Sequence, residues 1–188
     1  MEQVFKYFKD LTDSQKTLFE SLTGLYTDWN AKINVISRKD MEFFVEHHVL
    51  HSLAIAKFIK FTPETKIIDV GTGGGFPGIP LAILFPEVEF TLIDSIGKKI
   101  KVVNAVIESL ELKNVKAMQS RSESLKGKYD FIVSRAVAPI PDFVKQTRHL
   151  INAKQQNAIS NGILYLKGGD LHHEIMPFKK MASIMELK

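Results

Sequence analysis

From Lys66 onward, short runs of β-branched and aromatic residues alternate with stretches of helical length, and no other feature limits the fold as strongly. Lys66–Val70, Val88–Ile93, Val115–Gln119, Tyr129–Val133 and Ile163–Lys167 have strand character. Gly78–Phe85, Ile96–Leu110 and Ile140–Leu150 have helical character. Strands joined through helices need right-handed crossovers, which give a mostly parallel sheet covered on both faces. The expected fold is α/β and Rossmann-like, a central sheet flanked by helices. Asp170 to Lys188 is expected to add one helix and a short strand, Ser183–Leu187.

Residues 1–62 follow a different pattern. Leu18, Phe19, Leu22, Leu25, Tyr26 and Trp29 form an apolar stripe at helical spacing, with Thr12 or Ser14 as candidate cap. A second helix is expected after Asp40, with its stripe through Met41, Phe44, Val45, His48, Ser52, Ile55 and Ile59. Such stripes must be buried against something, and the following domain is the available surface. Two parts are therefore expected: a helical extension over 1–62 and an α/β domain over 63–188, divided near Thr62-Pro63. Lys32 to Lys39, with Lys32, Arg38 and Lys39, reads as an exposed basic loop between the helices.

The chemistry gathers where strands end. In open α/β sheets, ligands bind beyond the carboxyl ends of strands, where strand order reverses. Gly71, Gly73 and Gly75 follow the first strand at alternate positions, which permits a sharp turn and close approach to a ligand. The helix that follows is expected to offer free N–H groups to an anion. Asp94 closes the second strand about 20 residues beyond Gly71, a separation at which an acid can accept both hydroxyls of a nucleotide ribose. Its plainer role is to cap the helix that starts at Ile96, and it can fill both. Dinucleotide oxidoreductases carry G-x-G-x-x-G, whereas this run reads GTGGGFPG, with Gly78 too late and Pro77 interposed.

Glycines at 71, 73 and 75 behind Asp69 resemble the cofactor loop of class I S-adenosylmethionine-dependent methyltransferases. A narrower resemblance rests on DVGTGGGFPGIPLAI, FTLIDSIGKKIKVV from Phe90, QSRSES from Gln119 and FIVSRAVAP from Phe131, together with WNAKINVIS (Trp29–Ser37) and His48. In this order they resemble the bacterial 16S ribosomal RNA guanine-N7 methyltransferase family, also called glucose-inhibited division protein B. The likeness runs from about Trp29 to Gly169. It implies S-adenosylmethionine as cofactor and 16S rRNA or the 30S subunit as substrate. Gly71 and Phe76 match loop positions of the family, Asp69 an acid near the methionine end, and Ser122 and Glu123 a pair that brackets the adenine. Arg135 matches an arginine between cofactor and substrate; Arg121 and His48 match further basic residues lining the site. Family members usually carry an acid at the position of His51, and many have a further arginine-bearing strand that has no counterpart before Lys188.

Elementary chemistry agrees with that target. Guanine N7 has an in-plane lone pair and no proton to lose, so transfer needs alignment and no general base. Pyrimidine C5 methylation usually runs through a cysteine nucleophile, and the chain has no cysteine. That absence also removes disulfides and thiolate metal sites, and no metal is expected. Methylation of exocyclic amines usually comes with N/D-P-P-Y/F, whereas SRAVAPIP stands here. Arginine most often reads guanine through O6 and N7. With N7 reserved for attack, Arg135 is left with O6 or a phosphate, or else an ion pair with the cofactor carboxylate or Asp69. His48 has a plainer role as a packed residue of the apolar stripe, and Arg121 as a solvated loop residue.

The net charge of +4 leans mildly towards an anionic partner. Lys98, Lys99 and Lys101 either face phosphates or form a solvated helix face, the second being favoured. No stretch approaches the length of a membrane span and no secretory signal is visible, so a cytoplasmic enzyme is expected; a monomer is expected as well. The rivals are a nicotinamide oxidoreductase, a methyltransferase of another ring nitrogen, and a non-enzymatic RNA-binding assembly factor.

Overall fold

The computed structural model describes residues Met1–Glu186. Its chain runs through α1 (Glu2–Tyr7), α2 (Asp13–Lys32), α3 (Arg38–Glu42), a π-helical turn (Val45–Leu50), and the short helices α4 (His51–Leu53) and α5 (Ile55–Phe58). Then follow β1 (Lys66–Val70), α6 (Gly78–Leu84), β2 (Glu89–Asp94), α7 (Gly97–Ser109), β3 (Val115–Gln119), β4 (Phe131–Arg135), α8 (Ile140–Thr147), β5 (Gly162–Leu166) and α9 (His172–Ile175). All strand pairs are parallel, in the order β3-β2-β1-β4-β5. From β1 the chain moves outward to β3 and then returns to place β4 on the other side of β1. The reversal point thus lies between the carboxyl ends of β1 and β4.

The central strands are buried on both faces, and their side chains alternate between two cores. Ile67, Phe90, Leu92, Phe131 and Val133 face the core that also holds Phe19, Leu22 and Tyr26 of α2. Ile68, Val70, Ile93 and Ile132 face the smaller core with Phe143 and Leu150. Burying an apolar side chain of this size contributes roughly 1.5–3 kcal/mol, so α2 is held chiefly by Phe19, Leu22 and Tyr26 rather than by helix propensity. A capping box of Thr12 and Gln15 starts it, and Gln15 Nε2 also donates to the carbonyls of Ile83 and Leu84 at the end of α6. Thr12 is thus the cap, rather than Ser14. One core runs continuously from residues 1–62 into the sheet.

Several expectations shift. α1 was not signalled by any strong periodicity. The second helix starts at the Ser37 cap, whose hydroxyl accepts from Asp40 N–H; Asp40 lies inside α3. It then widens into a π turn, which keeps Phe44 and His48 buried. Residues 32–39 are more than an exposed loop: Asn30 Oδ1 accepts from Val35 and Ile36 N–H, and its Nδ2 donates to the Ile36 carbonyl. That clamp buries Ile36 while Lys32, Arg38 and Lys39 stay exposed. The tail forms α9 and a 3-10 turn (Met176–Phe178), but Ser183–Glu186 is exposed and does not form the expected strand; Leu187 lies outside the described residues. No helix among the described residues is long and apolar enough to cross a membrane.

Candidate active site

A cleft of about 540 Å³ opens at the reversal point, with walls from the ends of β1, β2, β3 and β4. Its floor is the loop after β1. Gly71, Gly73 and Gly75 all have positive φ, at 71°, 59° and 101°, the region L-residues other than glycine rarely adopt. Their surroundings differ. A Cβ on Gly71 would stand 2.6 Å from Val137 Cγ2, so this glycine admits the chain after β4. A Cβ on Gly73 would meet nothing within 4 Å and would enter the open cleft. Gly75 packs against Ile79 and the Tyr26 hydroxyl, outside the cleft wall. Tyr26, whose phenol is kept neutral by burial, donates to the Gly74 carbonyl and fixes the loop from beneath.

Asp69 lies behind this loop and does not line the cleft. Its Oδ2 accepts from Thr72 Oγ1 at 2.6 Å and from Gly78 N–H at 2.8 Å, the bracing arrangement of a strand-end acid. Complete burial pushes its pKa up to about 7, against the pull of those two hydrogen bonds and of Arg135. Oδ1 has no partner among the described residues. The free N–H groups expected at the start of α6 are already used: Gly78 donates to Asp69, Ile79 to Gly75 and Leu81 to Pro77, while Pro77 and Pro80 have none to give. The loop therefore offers no helix-terminal anion site, which corrects that expectation.

Asp94 ends β2 on the opposite wall. One oxygen accepts from Gly73 N–H at 3.0 Å, the other from Ile96 N–H at 2.9 Å, so it joins the glycine loop to the start of α7. A carboxylate has about four acceptor positions, and two remain for a ligand. After β3, Ser120, Arg121, Ser122 and Glu123 form the far rim. Ser122 is buried and donates to Glu123 Oε2 at 3.1 Å; Arg121 is exposed and has no ion pair among the described residues. Lys99 reaches the cleft, whereas Lys98 and Lys101 stay on the exposed face of α7.

Arg135, Phe76 and His48 make the remaining wall. The guanidinium lies 5.6 Å from the centre of the Phe76 ring, and Nη1 donates to the His47 carbonyl at 2.7 Å. Nη2 stands 2.8 Å from His48 Nδ1. A guanidinium has no acceptor, so Nδ1 accepts and the His48 proton sits on Nε2. The neighbouring rings of Phe44 and Phe76, 6.0 and 5.1 Å away, complete its setting. Burial first, and then repulsion from Arg135, pushes the His48 pKa down to about 4. His48 is thus packed, as its apolar stripe implied, and also lines the cleft. Among the described residues, Arg135 is joined neither to Asp69 nor to another carboxylate by an ion pair.

Of the residues singled out in sequence, Gly71, Gly73, Phe76, Asp94, Arg121, Ser122, Glu123, Arg135 and His48 converge on one cleft; Asp69 and Gly75 support it from outside. Val35, Ile36 and Val137 line it too and were not anticipated. Asn30, a polar residue beside an apolar stripe, was the available signal for the first two.

Two solved structures share the fold. A putative S-adenosyl-L-methionine-dependent methyltransferase from Methanococcus maripaludis matches 69% of this chain and 62% of its own, with TM-score 0.52 and 17% identity. A mutant of MtNAS in complex with S-adenosylmethionine matches 80% and 59%, with TM-score 0.54 and 15% identity. Much closer in sequence is the ribosomal RNA small subunit methyltransferase G of Phocaeicola vulgatus, 57% identical over 188 residues, covering 100% of this chain and 90% of the relative. The protein of the same name from Flavobacterium psychrophilum is 63% identical over 180 residues, covering 96% and 86%. The family profile described as rRNA small subunit methyltransferase G matches residues 15–188. Motifs, fold and relatives agree: the chain belongs to the rRNA small subunit methyltransferase G family.

Proposed function

We propose that this protein transfers a methyl group from S-adenosylmethionine to N7 of a guanine in 16S rRNA. The cofactor suits the residues present. Gly73 leaves the loop open to the cleft, Asp94 keeps spare acceptor positions for ribose hydroxyls, and Ser122 and Glu123 stand beyond it where an adenine would lie. A volume of about 540 Å³ is in the range of small-molecule sites.

The observation that carries the guanine-N7 target is the character of the Arg135–His48 wall. It presents donors and no base: Arg135 cannot accept a proton, and His48 Nδ1 is already engaged by it. A target that must lose a proton finds no acceptor on this wall, whereas N7 needs none. When bound, the cofactor would supply an electrophilic methyl on a cationic sulfonium, whose charge would pass to the base together with the methyl group. Since charge would move rather than form, the apolar groups Phe76, Val35 and Val137 that line the cleft would not oppose the step. The work of the residues is alignment.

We assign the enzyme to the cytoplasm as a monomer acting on 16S rRNA in the small subunit. Transfer of labelled methyl to 30S subunits from a strain lacking the enzyme, with free rRNA in parallel, tests the reading. Incorporation at guanine N7 supports it. Binding without transfer would make the protein an assembly factor instead.

A further inference from the structure

The turn that leaves β4 is held by two side chains from later in the chain. Arg135 ends β4, Ala136 follows at φ 48°, and α8 begins at Ile140. A positive φ is costly for alanine and persists only where the surroundings impose it. Here every backbone N–H from 136 to 140 is engaged outside the turn. Ala136 donates to the Leu166 carbonyl at 3.0 Å, and Val137 and Ala138 both donate to the Tyr165 hydroxyl, at 2.9 and 2.8 Å. Ile140 donates to Glu174 Oε2 at 2.7 Å, and Pro139 has no N–H to give.

Tyr165 spends its whole hydrogen-bonding capacity on this turn. A hydroxyl offers two acceptor positions and one donor; the two N–H groups take the first, and the Ala138 carbonyl, at 2.8 Å, takes the second. The ring itself is fixed by stacking on the buried Phe143 of α8, with centroids 4.6 Å apart. Glu174, on α9, is held in turn by Lys167, whose Nζ also donates to the Ala138 carbonyl. Lys167 first, and then the Ile140 N–H, keep the Glu174 carboxyl below the usual carboxylate range, so it stays an acceptor at pH 7. Tyr165 and Glu174 stand outside the cofactor cleft, but the turn they hold does not. Arg135 and Val137 line it, and Val137 packs so close to Gly71 that a Cβ there would stand 2.6 Å from it.

We propose that Tyr165 and Glu174 are positioning residues for methyl transfer: they clasp the strained turn after β4 and so hold Arg135 and Val137 in the geometry that transfer requires. The proposal rests on the methylation reading above. In-line transfer tolerates little displacement of the groups that align it, so a released turn should cost rate rather than binding.

Amide hydrogen exchange on the full chain tests the clasp. The Val137 and Ala138 N–H groups should be protected in the wild type. In Tyr165→Phe, which keeps the ring for Phe143, they should exchange roughly tenfold faster or more, while Ile132 and Val133 of β4 stay protected. Fast exchange of both amides in the wild type would overturn the clasp, as would unchanged protection in the variant. Methyl transfer to 30S subunits tests the positioning role. In Tyr165→Phe, kcat should fall about tenfold, with little change in KM for the subunit or in the affinity for S-adenosylhomocysteine. Glu174→Ala should lose kcat in the same way, and Glu174→Gln, whose amide oxygen can still accept from Ile140, should recover most of it. Thr147→Val serves as control: it removes a buried hydroxyl bonded to the Phe143 carbonyl at the far end of the same helix, and should leave kcat unchanged. An unchanged kcat in Tyr165→Phe, or an equal loss in Thr147→Val, would reduce the clasp to a brace of the fold and overturn the proposal. If the wild type transfers no methyl at all, the methylation reading fails, and the positioning role falls with it, while hydrogen exchange still decides whether the turn is clasped.

Discussion

Arg135 Nη2 lies 2.8 Å from His48 Nδ1, and this contact decides the protonation state of the imidazole on the cleft wall. Because the guanidinium can only donate, His48 is fixed as the Nε2–H tautomer, a donor rather than a base. Removing Arg135 should therefore act partly through His48. In Arg135→Ala the methyl-transfer rate should fall at least tenfold, while cofactor affinity changes little, since among the described residues Arg135 is hydrogen-bonded to His47 and His48 and not to Asp94 or Ser122. The His48 pKa should rise from about 4 as the repulsion from Arg135 is lost. Arg135→Lys should not restore the rate, because a single ammonium does not reproduce the fork that reaches both the His47 carbonyl and His48. Calorimetry with S-adenosylhomocysteine and an NMR titration of His48 check both parts. A large loss of cofactor affinity in Arg135→Ala would instead place the arginine on the cofactor carboxylate.

The glycine loop separates strain from access. Gly71→Ala should destabilise the protein by more than the roughly 1–3 kcal/mol of a strained backbone position, because its Cβ also meets Val137. Val137→Ala in the same chain should recover part of the loss. Gly73→Ala carries the backbone strain alone, yet its Cβ enters the open cleft. It should keep most of its thermal stability and lose cofactor affinity. Denaturant melts and calorimetry on the three variants distinguish these effects; equal loss of stability at the two glycines would contradict them.

Much of this site could be read in the sequence because its residues sit at strand ends, which β-branched runs mark. Gly71, Asp94 and Arg135 each follow or close such a run. The boundaries of β4 were less visible. Tyr129 makes only an isolated bridge with Ile151, whereas Ser134 and Arg135 continue the strand, Ser134 because its hydroxyl reaches the Val70 carbonyl. Features that depend on distant partners were not visible at all. The bond from Gly78 to Asp69 that uses up the helix terminus, the Asn30 clamp on Val35 and Ile36, and the π turn at His48 are all set by packing between segments.

Asp69 and His48 give the stability a pH dependence of opposite sign. The folded pKa of Asp69, about 7, lies above its ordinary 3.8, so between these values the folded state holds the extra proton. Stability from this group is complete below pH 3.8 and is lost as pH rises through 7, by at most about 1.4 kcal/mol per pH unit. The folded pKa of His48, about 4, lies below its ordinary 6.5. Its contribution is complete above pH 6.5 and is lost as pH falls towards 4. Asp69→Asn should remove the first trend and leave the second. Urea melts from pH 5 to 8 should show wild-type stability falling relative to the variant as pH rises. A pH-independent difference between them would mean that Asp69 titrates near its ordinary value.

RNA binding should be governed by exposed basic residues. Lys32, Arg38 and Lys39 flank the clamped segment, and Arg121 stands on the opposite rim. Each phosphate contact releases condensed counterions, so affinity for rRNA should fall steeply and linearly on a log–log plot against salt. Arg121→Gln should weaken binding and reduce that slope by about one contact. Lys98→Gln and Lys101→Gln, on the exposed face of α7 outside the cleft, should leave the slope unchanged. Filter-binding series with 16S rRNA between low and physiological salt measure the slopes directly. A flat response in the wild type would remove phosphate contacts from the account, whereas a reduced slope in the lysine variants would move the RNA path across α7.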